Sequence, residues 1–188
     1  MGNALRKTWL TEDDYLAREA EAAQKSEYVN GETYLMAGAS ARHNRISINL
    51  TVKLNAALGA TPCEVFMADM KLRIPRYRVF YYPDVMLTCE EEGNPLYREA
   101  PCLIAEVLSP GTAGIDEREK WLHYRDIPSL RYYLLVASDR RFARLFSRDE
   151  EGWLEQALGE NDVVNIECGP LKSALSLDDL FERTDLSA

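Results

Sequence analysis

A mixed α/β (α+β) fold, with a mixed β-sheet flanked by helices, is predicted by three features of the sequence. Short apolar, β-prone runs crowd the middle of the chain, at residues 63–66, 70–74, 82–88 and 102–108. Helix-like segments stand before, between and after such runs, near 11–20, 41–58 and 113–125. An Asn30-Gly31 pair separates two further short runs near the N-terminus. The order helix, hairpin, helix, strands, helix, strands places helices against a sheet, because each apolar face needs a partner layer.

The first helix is expected to start at Thr11, which forms a capping-box pattern with Asp14 three residues on, Asp replacing the usual Glu. Tyr15, Leu16 and Ala20 give it an apolar stripe. In "SEYVNGETYLMAG", Asn30-Gly31 marks a hairpin, since a type I′ turn needs positive φ at both central positions. Residues 41–58 carry two periods at once. Ile46, Ile48, Leu50, Val52 and Leu54 alternate as a strand would, while Ile46, Leu50, Leu54 and Leu58 recur as on a helix. Length decides for a helix, with Ser40 and Gly59 at the cap positions. His43 then lies in its first turn.

A helix is predicted over 113–125, beginning after Thr112 and stopping before the turn at Ile127-Pro128. Strands follow at 130–137, 141–146 and 152–158, and a closing helix at 177–182 has Ser176 as its cap. The strand at 102–108, the helix after it and the strand at 130–137 suit one right-handed crossover. No repeat, low-complexity tract or linker interrupts the chain, so 1–188 reads as a single domain.

Composition narrows the function classes. Of 188 residues, 46% are hydrophobic and 28% charged, which suits a soluble globular protein rather than a disordered tail. The N-terminal stretch has no long apolar core and no later run approaches a membrane span, so a cytoplasmic location is expected. The Met-Gly-Asn start lacks the Ser or Thr that myristoylation wants at position 6, where Arg6 stands. Cys63, Cys89, Cys102 and Cys168 are scattered, and His43 and His123 are the only histidines. No close Cys or His pair suggests a zinc site, and no disulfide framework is expected; the cysteines read as small buried hydrophobes.

The net charge of −9 argues against strong non-specific affinity for nucleic acid. Two segments, "KLRIPRYR" (71–78) and "DRRFARLFSR" (139–148), offer local basic patches or, more simply, solvated charge on strand faces.

The chemistry-bearing candidates start with Glu106, alone in the apolar run "PCLIAEVLSP". Alternation puts Glu106 on the same side as Ile104 and Leu108. A carboxylate buried there costs several kcal/mol unless it is paired. In "YYPDVMLT", Asp84 opens another apolar strand behind Pro83. Two acids on neighbouring strands cannot both stay ionised cheaply, and a divalent cation removes the conflict. Two readings of Lys120 compete. It can point from its helix toward the two acids, or form a surface i, i+4 pair with Asp116. His43 and Asp69 are weaker candidates, since a histidine in a helix's first turn is more often a structural or capping residue than a catalyst.

The order "KSEYVNGE", "ARHNRI", "YYPDV", "PCLIAEVLSPGT", "DEREKWLHYRDI" and "YYLLVAS" resembles the Uma2 family of restriction endonuclease-like proteins, within the PD-(D/E)xK nuclease superfamily. The resemblance spans roughly residues 15–180 and rests on several motifs in order. It implies a restriction-endonuclease-like core and metal-dependent hydrolysis of phosphodiester bonds. Asp84 matches the first acid and Glu106 the second. Leu108 occupies the place of the usual lysine, and the shifted lysine matches Lys120.

The resemblance implies one or two Mg²⁺ ions (or Mn²⁺) held by Asp84, Glu106 and the Val107 carbonyl, with Glu27 as a further candidate ligand. Asp84, Glu106 and Lys120 would be catalytic. Expected partners are nucleic acid, DNA first, and a second copy in a homodimer, with no membrane. The rival expectation is a catalytically inactive nuclease-fold protein that binds nucleic acid or another protein.

Overall fold

The computed structural model describes residues 9–91, 93–109 and 116–186. The Met-Gly start and the Thr112 cap lie outside the described residues.

Helix α1 (Glu12–Glu21) opens on the expected cap: the Asp14 amide donates to Thr11 Oγ1 at 3.1 Å, and the Thr11 hydroxyl donates back to Asp14 at 2.7 Å. Strands β1 (Ser26–Val29) and β2 (Glu32–Leu35) form the hairpin around Asn30 and Gly31, with φ of 47° and 95°. A Cβ on Gly31 would stand 2.7 Å from the Trp9 ring, so both conformation and space demand glycine there.

Helix α2 (Ala41–Ala56) resolves the two-period segment. Ile46, Leu50 and Leu54 are buried, whereas Ile48 and Val52 are 39% and 62% exposed. Ser40 caps it, its hydroxyl accepting from the His43 amide at 3.2 Å.

Strands β3 (Glu64–Met67) and β4 (Lys71–Ile74) precede a 3-10 turn at Pro75–Tyr77. The strand expected over 82–88 is shorter, β6 (Val85–Thr88), and a further strand, β5 (Val79–Tyr81), precedes it where none was expected. Tyr82-Pro83-Asp84 falls between them because the chain changes sheets there, and Pro83 has no amide to give to a ladder. After β7 (Tyr97–Arg98) come β8 (Pro101–Leu108), helix α3 (Asp116–Tyr124) and β9 (Tyr132–Ala137). Strands β8 and β9 are parallel, as a strand–helix–strand crossover requires. Strands β10 (Ala143–Arg148) and β11 (Trp153–Ala157) follow. A hairpin of β12 (Val163–Cys168) and β13 (Leu171–Ser176), unforeseen in the sequence, leads into helix α4 (Leu177–Phe181).

Among the described residues the expected mixed α/β fold has two mixed sheets and a two-stranded hairpin. The six-stranded sheet runs β11-β10-β9-β8-β6-β3, and the five-stranded sheet runs β2-β1-β5-β4-β7. Leu103, Ala105 and Val107 of β8 join a core with Ile46, Leu50 and Leu54 of α2 and with the β12–β13 hairpin. The alternate residue Ile104 joins a second core with Leu72, Ile74 and Tyr81 of the other sheet and Tyr124 of α3. Strand β8 is thus covered on both faces, which explains its unbroken apolar run. Glu106 points into the second core, on the side of Ile104.

The cysteines correct the sequence expectation. Cys63–Cys89 and Cys102–Cys168 are disulfides. Glu64 pairs with Thr88, so the next residues outward, Cys63 and Cys89, face each other across β3 and β6. Cys168 ends β12 beside the start of β8, where Cys102 lies. Spacing along the chain hides such pairs, because strand pairing brings together positions 26 and 66 residues apart.

The two basic segments are largely neutralised. Arg73 contacts Glu12 and Glu99 at 2.7 and 2.6 Å, and Arg76 contacts Asp126 at 3.4 Å. Arg141 contacts Glu160 and Asp178 at 2.6 and 2.5 Å, and Arg144 contacts Glu155 at 3.1 Å. Among the described residues no helix is long and apolar enough to cross a membrane.

Candidate active site

Strands β6 and β8 are antiparallel, and Val85 pairs with Ala105. Asp84, just before β6, therefore comes to lie beside Glu106 and Val107 near the end of β8. The Val107 amide donates to Asp84 Oδ2 at 2.7 Å. His43 Nε2 lies 3.1 Å from the same oxygen, delivered from the first turn of α2. Two groups on different layers thus fix one carboxylate oxygen of Asp84.

Glu106 is nearly inaccessible, with 7% of the residue exposed. The Tyr124 hydroxyl donates to its Oε1 at 2.8 Å, and Lys120 Nζ lies 3.3 Å from the same atom. Burial pushes the Glu106 carboxyl above its ordinary pKa, and the nearby charges of Asp84 and Glu27 push the same way, against Lys120 and Tyr124. The protonated carboxyl is therefore favoured over the carboxylate until a further cation enters.

Lys120 is also 2.9 Å from Glu27 Oε1, and its ammonium stands 5.2 Å from the centre of the Tyr81 ring. Burial works against its charge, but Glu106 and Glu27 outweigh burial and hold its pKa above the ordinary value. Lys120 is thus a largely buried cation bridging β1 and β8, and the Asp116 side chain lies outside the described residues. Burial lowers the pKa of His43, yet the hydrogen bond and charge of Asp84, with the charge of Glu106, raise it overall. The Tyr124 hydroxyl is held neutral by burial and by Glu106.

The structure gathers Asp84, Glu106, Val107, Lys120 and Glu27, together with His43, around one cleft of about 690 Å³. Asp69 is not among them: it is largely exposed and paired with Lys25. Tyr124 had a sequence signal, since it lies four residues after Lys120 on the same helical side. The His43–Asp84 contact had none, because it depends on how α2 lies over the strands.

The donor set suits a hard divalent cation. Asp84 and Glu106 supply carboxylate oxygens, and magnesium is commonly held by one or two carboxylates plus water and substrate phosphates. Among the described residues no cluster of three His, Cys, Asp or Glu side chains is poised to hold a metal. Glu27 instead serves the ammonium of Lys120.

Residues 12–178 match the model of the Uma2 family, described as "Putative restriction endonuclease". Two similar proteins are uncharacterized proteins of Synechocystis sp. (strain ATCC 27184 / PCC 6803 / Kazusa). One is 39% identical over 161 residues, covering 82% of this chain and 91% of its own. The other is 34% identical over 148 residues, covering 77% and 78%. A crystal structure from Anabaena variabilis ATCC 29413, described as a "putative nuclease belonging to DUF820", superposes with a TM-score of 0.69 at 16% identity. The match covers 88% of this chain and 96% of that one, so the two share a fold. With the family model spanning nearly all of the fold that carries the two acids and the lysine, the chain belongs to the Uma2 family.

Proposed function

We propose that this protein is a metal-dependent endonuclease that hydrolyses phosphodiester bonds of nucleic acid, DNA first. The observation that carries the reading is the convergence of Asp84, Glu106 and Lys120, from three separate elements, on one cleft. Asp84 and Glu106 would hold Mg²⁺ or Mn²⁺, with the Val107 carbonyl alongside. When bound, such an ion polarises a phosphate oxygen and lowers the pKa of water.

The protein's own groups set the stage for that ion. His43 and the Val107 amide both bond to Oδ2 of Asp84 and so fix its orientation. Tyr124 holds Glu106 by Oε1. Lys120 offsets part of the acidic charge and, turned toward substrate, would stabilise charge developing on the phosphate. Glu27 keeps that ammonium aimed at the cleft.

Short DNA and RNA substrates, single- and double-stranded, incubated with Mg²⁺ or Mn²⁺ test the reading. Cleavage should require metal and should disappear in Asp84→Asn and Glu106→Gln. Undiminished cleavage by either purified variant overturns the assignment.

One observation favours a second reading, a nuclease fold that binds without cutting. The Lys120 ammonium is engaged by two carboxylates, Glu27 and Glu106. Calorimetry separates the two readings: a binding module takes up Mg²⁺ or Mn²⁺ weakly or not at all.

A further inference from the structure

The cleft has two unlike walls. One holds the acids, His43 and Lys120. The other is formed by the hairpin strand β2 and its continuation, with Tyr34, Leu35 and Met36 lining the cleft, as does Met67. Tyr34, Leu35 and Met67 are 53%, 71% and 39% exposed. Large apolar groups grouped at the mouth of a charged cleft mark a contact surface more than a packing remainder.

Strand register ties this wall to the chemistry. Tyr34 is the cross-strand partner of Glu27, so the two side chains share a face with their Cβ atoms about 5 Å apart. Glu27 is the residue that holds Lys120. The Tyr34 hydroxyl donates to Glu32 at 3.0 Å, which fixes the ring on that face. An exposed aromatic ring therefore stands one side chain away from the lysine of the site.

Duplex nucleic acid shows a protein mainly phosphates and sugars, and proteins grip it with cations. The cations among the described residues lining this cleft are poorly placed for that. Lys25 is paired with Asp69, and Lys120 with Glu27 and Glu106. Unstacked bases offer a further contact that a duplex withholds, stacking on an aromatic platform beside the reacting phosphate.

We infer that the site takes single-stranded nucleic acid, with a base stacked on Tyr34 while its phosphate lies at Asp84 and Glu106. The inference rests on the nuclease reading and specifies its substrate. Tyr34 acts on substrate position.

The test uses a fluorescein-labelled single-stranded DNA 20-mer, its blunt duplex and the RNA of the same sequence. Binding is followed by anisotropy in Ca²⁺ and cleavage in Mn²⁺. The single strands should bind and be cut in preference to the duplex. Tyr34→Ala should weaken single-strand binding about 5- to 150-fold, the range expected for one stacked base, while Tyr34→Phe keeps it. Duplex preference, or an unchanged affinity in Tyr34→Ala, overturns the inference and leaves the nuclease reading standing. If no probe is bound or cut at all, both fall together. Should the wild type sediment as a dimer that Tyr34→Ala or Leu35→Ser dissociates, a second copy is the occupant of this wall and the inference also fails.

Discussion

Lys120 stands 3.3 Å from Glu106, although fourteen residues and a change from strand to helix separate them. Lys120 offsets part of the cost of burying Glu106, and Glu106 and Glu27 together hold the ammonium. Lys120 and Glu106 are both largely withdrawn from water, and each carries a charge that burial opposes. Most of the expected behaviour of the site follows from this pair.

Removing the cation should expose the repulsion among the acids it holds. Lys120→Met is expected to destabilise the metal-free protein by about 3 kcal/mol, the usual scale for breaking a buried pair. Added Mg²⁺ should restore part of that loss, because binding to the native state alone stabilises it. Denaturation with chelator and with Mg²⁺ measures the difference. Equal stability of variant and wild type in chelator contradicts it.

Glu106 gives stability an unusual pH dependence. Its pKa is raised in the native state, so the native protein holds this proton more tightly than the unfolded chain does. The associated stability is complete below the ordinary carboxylate pKa and is lost as pH rises through the raised native value. Glu106→Gln should therefore be nearly neutral at about pH 4 and stabilising by on the order of 2 kcal/mol at about pH 8. Urea melts at both values, without metal, check the sign. A variant less stable than wild type at the higher pH refutes it.

Tyr124→Phe removes one donor from Glu106 and little volume. A hydrogen bond to a charged group contributes about 1.5–3 kcal/mol, so the carboxylate form of Glu106 should become harder to reach. Mg²⁺ affinity measured by calorimetry near neutral pH is expected to fall about ten-fold or more, with near-native circular dichroism. Unchanged affinity would show that the hydroxyl serves packing alone.

The two disulfides close loops of 26 and 66 residues. Chain entropy then assigns them about 3.5 and about 4 kcal/mol as upper values. A dithiol reductant should lower the Tm clearly, and Cys102→Ser should lower it more than Cys89→Ser. Mass spectrometry after alkylation counts the thiols directly. Four alkylated cysteines in untreated protein would remove the basis of this prediction.

Local signals carried much of the fold into the sequence. Thr11, Asn30-Gly31, Ser40 and Ser176 each satisfy a nearby backbone demand, and each marks its element correctly. Asp84 and Glu106 were legible because a carboxylate in an apolar run stands out wherever the run is placed. The expectations that failed depended on how layers meet. Val79–Tyr81 and Val85–Thr88 belong to different sheets, which no periodicity in one segment reveals. The cysteine pairs and the grip of His43 on Asp84 come from strand order and helix placement. The β12–β13 hairpin escaped because its outward positions are polar and its inward run is short.

The opposed directions of β6 and β8 have a practical corollary. The two acids enter from one end of the strand pair, while the chain joining the strands leaves from the other end, where Glu90 and Glu91 are exposed. Length added at that far turn does not alter the separation of the acids, and each strand is pinned by a disulfide between the turn and the cleft. The molecule therefore has a natural socket, where a genetically encoded reporter or affinity handle can be seated without moving Asp84 or Glu106.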